Sequence, residues 1–235
     1  KGIMLATFPM SINTREISRN DNLITLEMSP IRGGLAIRDA TIYSFTPFGL
    51  PDLKINNIEK QKVGKNLQIS IPINEAKDRI LQVLAINQIG AIATPYHWSN
   101  YNSTINVLDI NPKLEITHTE GGVFFQVELD QYAPAKTILK LSNDNTFRSY
   151  PVSQIQPTVF LSDMLSPKVL KDIKYVDVLL TKGDLTRETR FNFIPGVASP
   201  NMKTVILSKD KNCSIQALSN TVYSATAIWI EKVKK

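Results

Sequence analysis

The stretch that decides the fold is IKYVDVLLTKGDLTRETRFNF, which runs from Ile173 to Phe193. Two runs of alternating residues flank a turn at Lys182-Gly183-Asp184, and this arrangement predicts a β-hairpin. Residues two apart in a strand share a face, so Asp177 is predicted on the outer face of the sheet. The predicted core face holds Val176, Val178, Leu180, Phe191 and Phe193.

A hairpin of the same kind is predicted earlier in the chain. Residues Arg79 to Trp98 contain an apolar run, a turn through Asn87 to Gly90 and a second extended run. The turn glycines Gly90 and Gly183 lie 93 residues apart, which is about the length of one small β-sandwich. The repeat therefore predicts two similar modules.

Alternation also predicts strands ahead of the first hairpin. The clearest is Leu67 to Ile73, in which leucine and isoleucine occupy every second position. Ile3 to Phe8, Leu23 to Met28 and Leu35 to Phe45 are further candidates. The basic stretch Glu59 to Lys65 is predicted to form a turn.

A polar segment from Ser99 to Asn106 separates this region from a second set of strands. The connection from Ser162 to Lys174 is predicted to cross between sheets with one helical turn. We expect three parts: a first sandwich (1–105), a second (106–196) and a C-terminal extension or truncated third module with three strands (197–235). Strands of the second sandwich are predicted at Lys113 to His118, Val123 to Asp130, Thr137 to Leu141, Phe147 to Val152 and Thr158 to Leu161.

The predicted class is thus all-β, with two tandem antiparallel β-sandwiches and a small C-terminal extension. Residues 67–98 and 158–193 have the same order: a strand, a crossing segment and a long hairpin. In this order the chain resembles tandem immunoglobulin-like or fibronectin type III modules. Tyr175 also resembles the tyrosine found in the penultimate strand of such modules. The resemblance implies a binding or structural role and no catalytic residues.

Charge does not single out a nucleic-acid partner. The net charge is +6, and residues 1–105, 106–197 and 198–235 carry +3, −1 and +4. Only the C-terminal tail, with Lys232, Lys234 and Lys235, is locally basic, and a solvated chain end or an anionic partner both account for it. No apolar run approaches the roughly 18 residues of a membrane span. We therefore expect neither a nucleic-acid partner nor a membrane span.

Metal, cofactor and catalytic chemistry have few candidate residues. The single cysteine, Cys213, excludes an internal disulfide, and its place in an alternating run predicts a buried thiol. His97 and His118 are the only histidines, which leaves little for a zinc site or a catalytic triad. The cluster Asn143-Asp144-Asn145 is predicted to be a turn and not a calcium site. We expect no cofactor, no metal and no enzymatic activity.

Two stretches are candidate binding surfaces. The loop from Ser44 to Asp52 carries Phe45, Phe48 and Leu50 and is punctuated by two prolines, and burial under the fold competes there with docking of a partner. The other candidate surface consists of aromatic residues at a strand end, which either cap the core or form a platform for a sugar ring or a peptide. Its members are Tyr96, His97 and Trp98.

Three functions remain open on the sequence. The first is a non-enzymatic β-sandwich binding or structural protein, as a surface or secreted interaction module or as an accessory part of a larger protein, with a protein or carbohydrate partner. The second is a viral or phage capsid, matrix or tail protein that self-assembles. The third is a β-rich carbohydrate-active enzyme. The first implies an extracellular or cell-surface location and the second a virion, and an oligomer is compatible with both.

Overall fold

Alternating apolar residues determine where the strands form, because one face of each sheet is buried and the other is not. Leu67, Ile69 and Ile71 are at most 2% exposed, whereas Gln68 and Ser70 between them are partly exposed. The structure is all-β, with antiparallel sheets and two four-residue α-helices among its described residues, which confirms the all-β part of the prediction. It is a computed structural model that describes residues 11–31, 33–55, 58–99, 106–119, 121–133 and 135–231.

The chain divides into two compact units. The predicted linker from Ser99 to Asn106 lies mostly outside the described residues, as does the predicted strand Ile3 to Phe8. The first unit comprises Lys1–Thr104, Gln131–Ala133 and Gln154–Thr158. The second unit comprises Ile105–Asp130, Pro134–Ser153 and Val159–Lys235.

Eight strands build two four-stranded sheets in the described part of the first unit. They are β1 (Ile12–Arg19), β2 (Leu23–Pro30), β3 (Ile37–Phe45), β4 (Pro51–Lys54), β5 (Glu59–Val63), β6 (Asn66–Pro72), β7 (Ile80–Asn87) and β8 (Tyr96–Ser99). One sheet has the order β1-β2-β6-β5 and the other has the order β4-β3-β7-β8. The consecutive strands β2 and β3 thus belong to different sheets.

The two sheets of the first unit share one apolar core. Leu26 on β2 and Ile69 on β6 belong to the same buried cluster as Ile42 on β3 and Val83 on β7, and none of the four is more than 2% exposed. Burying such side chains contributes about 1.5 to 3 kcal/mol each. The strands predicted at Leu23 to Met28 and Leu67 to Ile73 are confirmed as β2 and β6.

Seven of the described strands form one sheet, in the order β15-β14-β11-β12-β13-β10-β9, and all but the last three residues of β12 belong to the second unit. They are β9 (Pro112–Thr119), β10 (Gly122–Leu129), β11 (Lys136–Ser142), β12 (Phe147–Gln156), β13 (Val159–Ser162), β14 (Tyr175–Lys182) and β15 (Leu185–Asn192). The ten-residue strand β12 lies between β11 and β13 and so joins the two halves of the sheet.

The hairpin predicted at Ile173 to Phe193 is confirmed as β14 and β15. Its pairing runs from Tyr175 opposite Asn192 to Lys182 opposite Leu185, which leaves a two-residue turn. The predicted core residues are buried except for Phe191, which is half-buried. Those that are buried are Val176, Val178, Leu180 and Phe193.

The crossing segments of the two units share a local conformation. The helices α1 (Ile73–Ala76) and α2 (Pro167–Leu170) each end at a lysine, and the aspartate that follows has a positive φ: 56° at Asp78 and 66° at Asp172. Aspartate tolerates this left-handed conformation better than most residues. Both crossing segments thus carry a Lys-Asp pair with the same backbone conformation.

Four short strands follow the hairpin in the part of the second unit that the structure describes. They are β16 (Gly196–Ala198), β17 (Thr204–Leu207), β18 (Ser214–Ala217) and β19 (Thr226–Ile228). Strand β16 pairs with β19, and β17 pairs with β18. Trp229 after β19 packs edge-on against Phe193, with ring centroids 5.4 Å apart, and Phe193 meets Phe125 of β10 at 5.5 Å. This aromatic contact joins the segment to the second unit.

Two predictions about local structure are wrong. Residues Glu59 to Lys65 form strand β5 and its turn, because an edge strand pairs through its backbone and all five of its side chains are exposed. Cys213 is exposed and not buried. It lies next to the two-stranded sheet β17-β18, which leaves part of its residues exposed to solvent. The charged edge strand β1 was likewise not predicted, because charged residues interrupt its alternation.

Candidate functional site

Each unit carries a buried polar side chain on the outer face of a central strand. In β7 this residue is Gln82, which is 7% exposed, and in β14 it is Asp177, which is fully buried. Each interacts with the residue directly opposite on the next strand: Gln82 with His97 of β8, and Asp177 with Arg190 of β15. The two units therefore place a bonded polar pair at equivalent points of their sheets.

The pair in the second unit is a charged one. Arg190 donates from Nε to Asp177 Oδ1 at 2.7 Å and from Nη2 to Oδ2 at 3.1 Å, and Ser142 Oγ donates to Oδ2 at 3.2 Å. A two-pronged bond between a guanidinium and a carboxylate fixes both groups in orientation. The hydrogen bond to Asp177 raises the pKa of Arg190, which therefore stays charged. Three bonds thus satisfy the buried carboxylate.

Two aromatic rings complete the cluster. Arg190 lies over Tyr175, 4.6 Å from the ring centroid, and the ammonium of Lys140 lies 4.7 Å from the centroid of Phe147. Lys140 also forms an ion pair with Glu188 at 3.1 Å. Contacts between a cation and an aromatic face contribute about 0.5 to 1 kcal/mol at exposed sites. We call the group Lys140, Ser142, Phe147, Tyr175, Asp177 and Arg190 the Asp177 cluster.

The Asp177 cluster borders an open depression of about 410 Å³, which the turn at residues 143–146 also lines. Asn143 Oδ1 accepts from the backbone of Asn145 and of Thr146, and Lys174 forms an ion pair with Asp144. The oxygens of this turn are thus used locally, as predicted for a turn. Within the described ranges, no group of three His, Cys, Asp or Glu residues is placed to hold a metal ion.

The polar pair of the first unit consists of Gln82 and His97, and burial determines the charge state of His97. His97 Nε2 lies 3.3 Å from Gln82 Oε1, and burial lowers the pKa of His97 to about 4. A ring with this pKa is neutral at pH 7. His97 therefore packs beside the amide of Gln82 within the sheet. It does not act as a cation at neutral pH.

The low pKa of His97 predicts a pH dependence of stability. Between about pH 4 and 6.5 the unfolded state binds more protons at this residue than the folded state. The free energy of unfolding should therefore fall by about 3 kcal/mol as the pH decreases from 7 to 4. Urea titrations at both pH values measure this loss.

The matched variants for this prediction are His97→Gln and His118→Gln. His118 is exposed, so its replacement should leave the pH dependence unchanged. The His97 variant should lose about 3 kcal/mol less than the parent between pH 7 and 4. Equal losses in the parent and in His97→Gln would show that the pKa of His97 is not lowered in the folded state.

Trp98 lies in the core of the first unit. It is 5% exposed, and its indole N–H donates to Glu16 Oε2 on β1 at 2.6 Å. Arg19, which forms an ion pair with Glu16, lies 5.2 Å from the ring centroid. The hydrogen bonds from Arg19 and Trp98 lower the pKa of Glu16. Because Trp98 is covered, the three-ring platform of Tyr96, His97 and Trp98 reduces to Tyr96 and His97, which are half-buried.

The other predicted surface, the loop from Ser44 to Asp52, is divided in the same way. Phe45 is 7% exposed and belongs to a small buried cluster with Ile80 and Tyr132. Phe48 and Leu50 are 66% and 64% exposed. The turn is held by backbone bonds between Thr46 and both Gly49 and Leu50. Only Phe48 and Leu50 are therefore accessible to a partner.

Sequence reasoning placed Asp177 on the outer face of its sheet but did not assemble the Asp177 cluster. Its members come from β11, β12, β14 and β15, and their proximity depends on the pairing of Lys140 with Asp177 and of Asp177 with Arg190. The hairpin turn alone predicts the second of these pairings. The position of β11 beside β14 has no local signal in the sequence.

Comparison with known proteins gives no family for the chain. Neither a protein-family model nor a curated protein matches it. Among the described residues, no helix has the length and apolar character that crossing a membrane requires. The site chemistry and the strand order are therefore the grounds for a functional proposal.

Proposed function

We propose that the chain is a non-enzymatic binding or structural protein built from two tandem immunoglobulin-like modules. The observation that carries the proposal is the strand order. In a constant-type immunoglobulin domain, strands A, B, E and D form one sheet, and C, F and G form the other. The sheets β1-β2-β6-β5 and β4-β3-β7-β8 follow this order, with β4 added beside the C strand.

The second unit supports the same proposal. Read in chain order, β9, β10 and β13 correspond to strands A, B and E, and β12-β11-β14-β15 corresponds to an added strand followed by C, F and G. Both units have a short helix between their E and F equivalents. Two modules of one strand order favour duplication of a binding or structural domain.

We assign the Asp177 cluster as the partner-binding face, with a protein or a carbohydrate as the partner. Phe147 is 63% exposed, so its ring is open to contact, whereas the carboxylate of Asp177 is fully buried and holds Arg190 in place. Rigid aromatic and arginine side chains are common anchors of protein interfaces. The remaining bonds of the cluster order these groups before a partner arrives.

A pair of matched variants tests this assignment. The chain is applied to arrays of glycans and peptides, and Phe147→Ala is compared with Phe48→Ala, whose ring is similarly exposed. Binding to the array ligand should weaken by at least about tenfold in Phe147→Ala and stay within twofold in Phe48→Ala. The opposite result would move the binding face to the loop from Ser44 to Asp52.

Sedimentation velocity separates the proposal from a self-assembling viral or phage protein. We expect one species of monomer mass, 26.3 kDa, across a wide concentration range. Growth into large assemblies with concentration would favour the viral alternative. Turnover of any polysaccharide in the array panel would favour a carbohydrate-active enzyme and contradict the proposal.

A further inference from the structure

The hairpin β17-β18 presents apolar side chains to solvent. Val205 and Leu207 are 55% and 46% exposed and share one face of β17, because the residue between them, Ile206, is 3% exposed on the opposite face. Leu218, which follows β18, is 55% exposed. Gln216 and Ser214 lie opposite Val205 and Leu207 in the pairing. The outward face therefore holds an apolar strip, which we call the hairpin strip: Val205, Leu207 and Leu218.

Cations stand at both ends of the hairpin strip. Lys203 precedes β17, and Lys209 and Lys211 lie in the turn between the strands, and all three are exposed. The only acidic residue of the hairpin, Asp210, accepts from Ser208 Oγ at 2.6 Å and is thus engaged within the turn. The strands themselves carry no charge. The hairpin strip is therefore apolar in its middle and basic at its ends.

We propose that the hairpin strip docks on an anionic lipid surface. Acyl chains accept the apolar side chains, and anionic headgroups attract the three ammonium groups. A lipid surface provides both the acyl chains and the anionic headgroups, and binding to it requires no complementarity of shape. A second copy of the chain is a poor occupant, because it would bring three lysines against three lysines at a net charge of +6 per copy.

Flotation with lipid vesicles tests this inference on the whole chain. The vesicles are phosphatidylcholine alone, or phosphatidylcholine with about 30% phosphatidylserine. The chain should float with the second kind only, and binding should weaken as salt is raised. No binding to the anionic vesicles would overturn the inference.

Two pairs of variants identify the surface. Val205→Ser with Leu207→Ser should reduce the partition coefficient by at least about tenfold, while Ile89→Ser with Ile92→Ser, which changes two exposed residues of the first unit, should leave it within twofold. Replacing Lys203, Lys209 and Lys211 by glutamine should reduce the partition coefficient as strongly as the serine pair does. The charge-matched control replaces Lys62, Lys113 and Lys168, all exposed, by glutamine and should bind like the parent.

The same variants distinguish docking of the hairpin strip on lipid from diffuse charge attraction and from binding of an acidic polypeptide. Equal loss in the two lysine triples would show diffuse attraction by the whole chain and would overturn the inference. Displacement from the vesicles by polyglutamate, with no effect of the serine pair, would assign an acidic polypeptide as the occupant and would also overturn it. If the two serine replacements lower the melting temperature of the chain, the comparison of the two sets of lysine variants still decides between these outcomes.

Discussion

Replacing Val178 by aspartate should unfold the second unit. Val178 is fully buried on β14, between Leu139 of β11 and Thr189 of β15 in the sheet pairing. An aspartate at this position has no cation opposite it, and a buried carboxylate without a partner costs several kcal/mol. A loss of about 4 kcal/mol or more would remove much or all of the stability of an ordinary domain.

The control for this variant is Thr181→Asp on the outer face of the same strand. Thr181 is half-buried and lies opposite Lys136 in the pairing, so the new carboxylate meets a cation. Its effect should stay below about 1 kcal/mol. Denaturant unfolding followed by circular dichroism measures both variants. If Val178→Asp unfolds at the same denaturant concentration as the parent, the pairing of β14 is wrong.

Replacing Trp98 by alanine should destabilise the first unit by about 3 to 5 kcal/mol. The indole ring is 5% exposed in the shared core of the two sheets, and its N–H bonds to Glu16. Alanine removes both the packed ring and the donor. Circular dichroism during urea unfolding gives the change.

Phenylalanine at the same position separates packing from hydrogen bonding. Trp98→Phe keeps an aromatic ring and loses the donor to Glu16, so its cost should be about 1 to 2 kcal/mol. If the alanine variant costs no more than the phenylalanine variant, Trp98 is not packed in the core. A surface platform that includes Trp98 would then be restored as a candidate.

Alternation predicted the buried strands and failed at two charged edge strands, β1 and β5. The pattern of Leu67, Ile69 and Ile71 exists because one face of β6 is buried, and the same reason applies to β14. Strands β1 and β5 pair on one side only and expose most of their side chains, so their formation depends on a neighbour and not on their own sequence. The charged edge strands β1 and β5 are thus the part of this fold that sequence reasoning loses, whereas the edge strands β9 and β15 were predicted.

The candidate sites show the same division between local and distant information. The exposure of Phe48 agrees with its place in a proline-punctuated loop, which is a local property. The indole N–H of Trp98 bonds to Glu16, which lies 82 residues away in the chain. In the second unit, Lys140 and Glu188, which form an ion pair, are likewise 48 residues apart in the chain. Predicting such contacts requires the order of the strands, which the sequence pattern does not state.

The most direct test of the two-module proposal is the strand order itself, measured by nuclear Overhauser effects between backbone protons. The account predicts contacts of β2 with β6 and of β3 with β7 in the first unit, and of β10 with β13 and of β11 with β14 in the second. Ladders of contacts that instead join β2 to β3, or β10 to β11, within one sheet would contradict it.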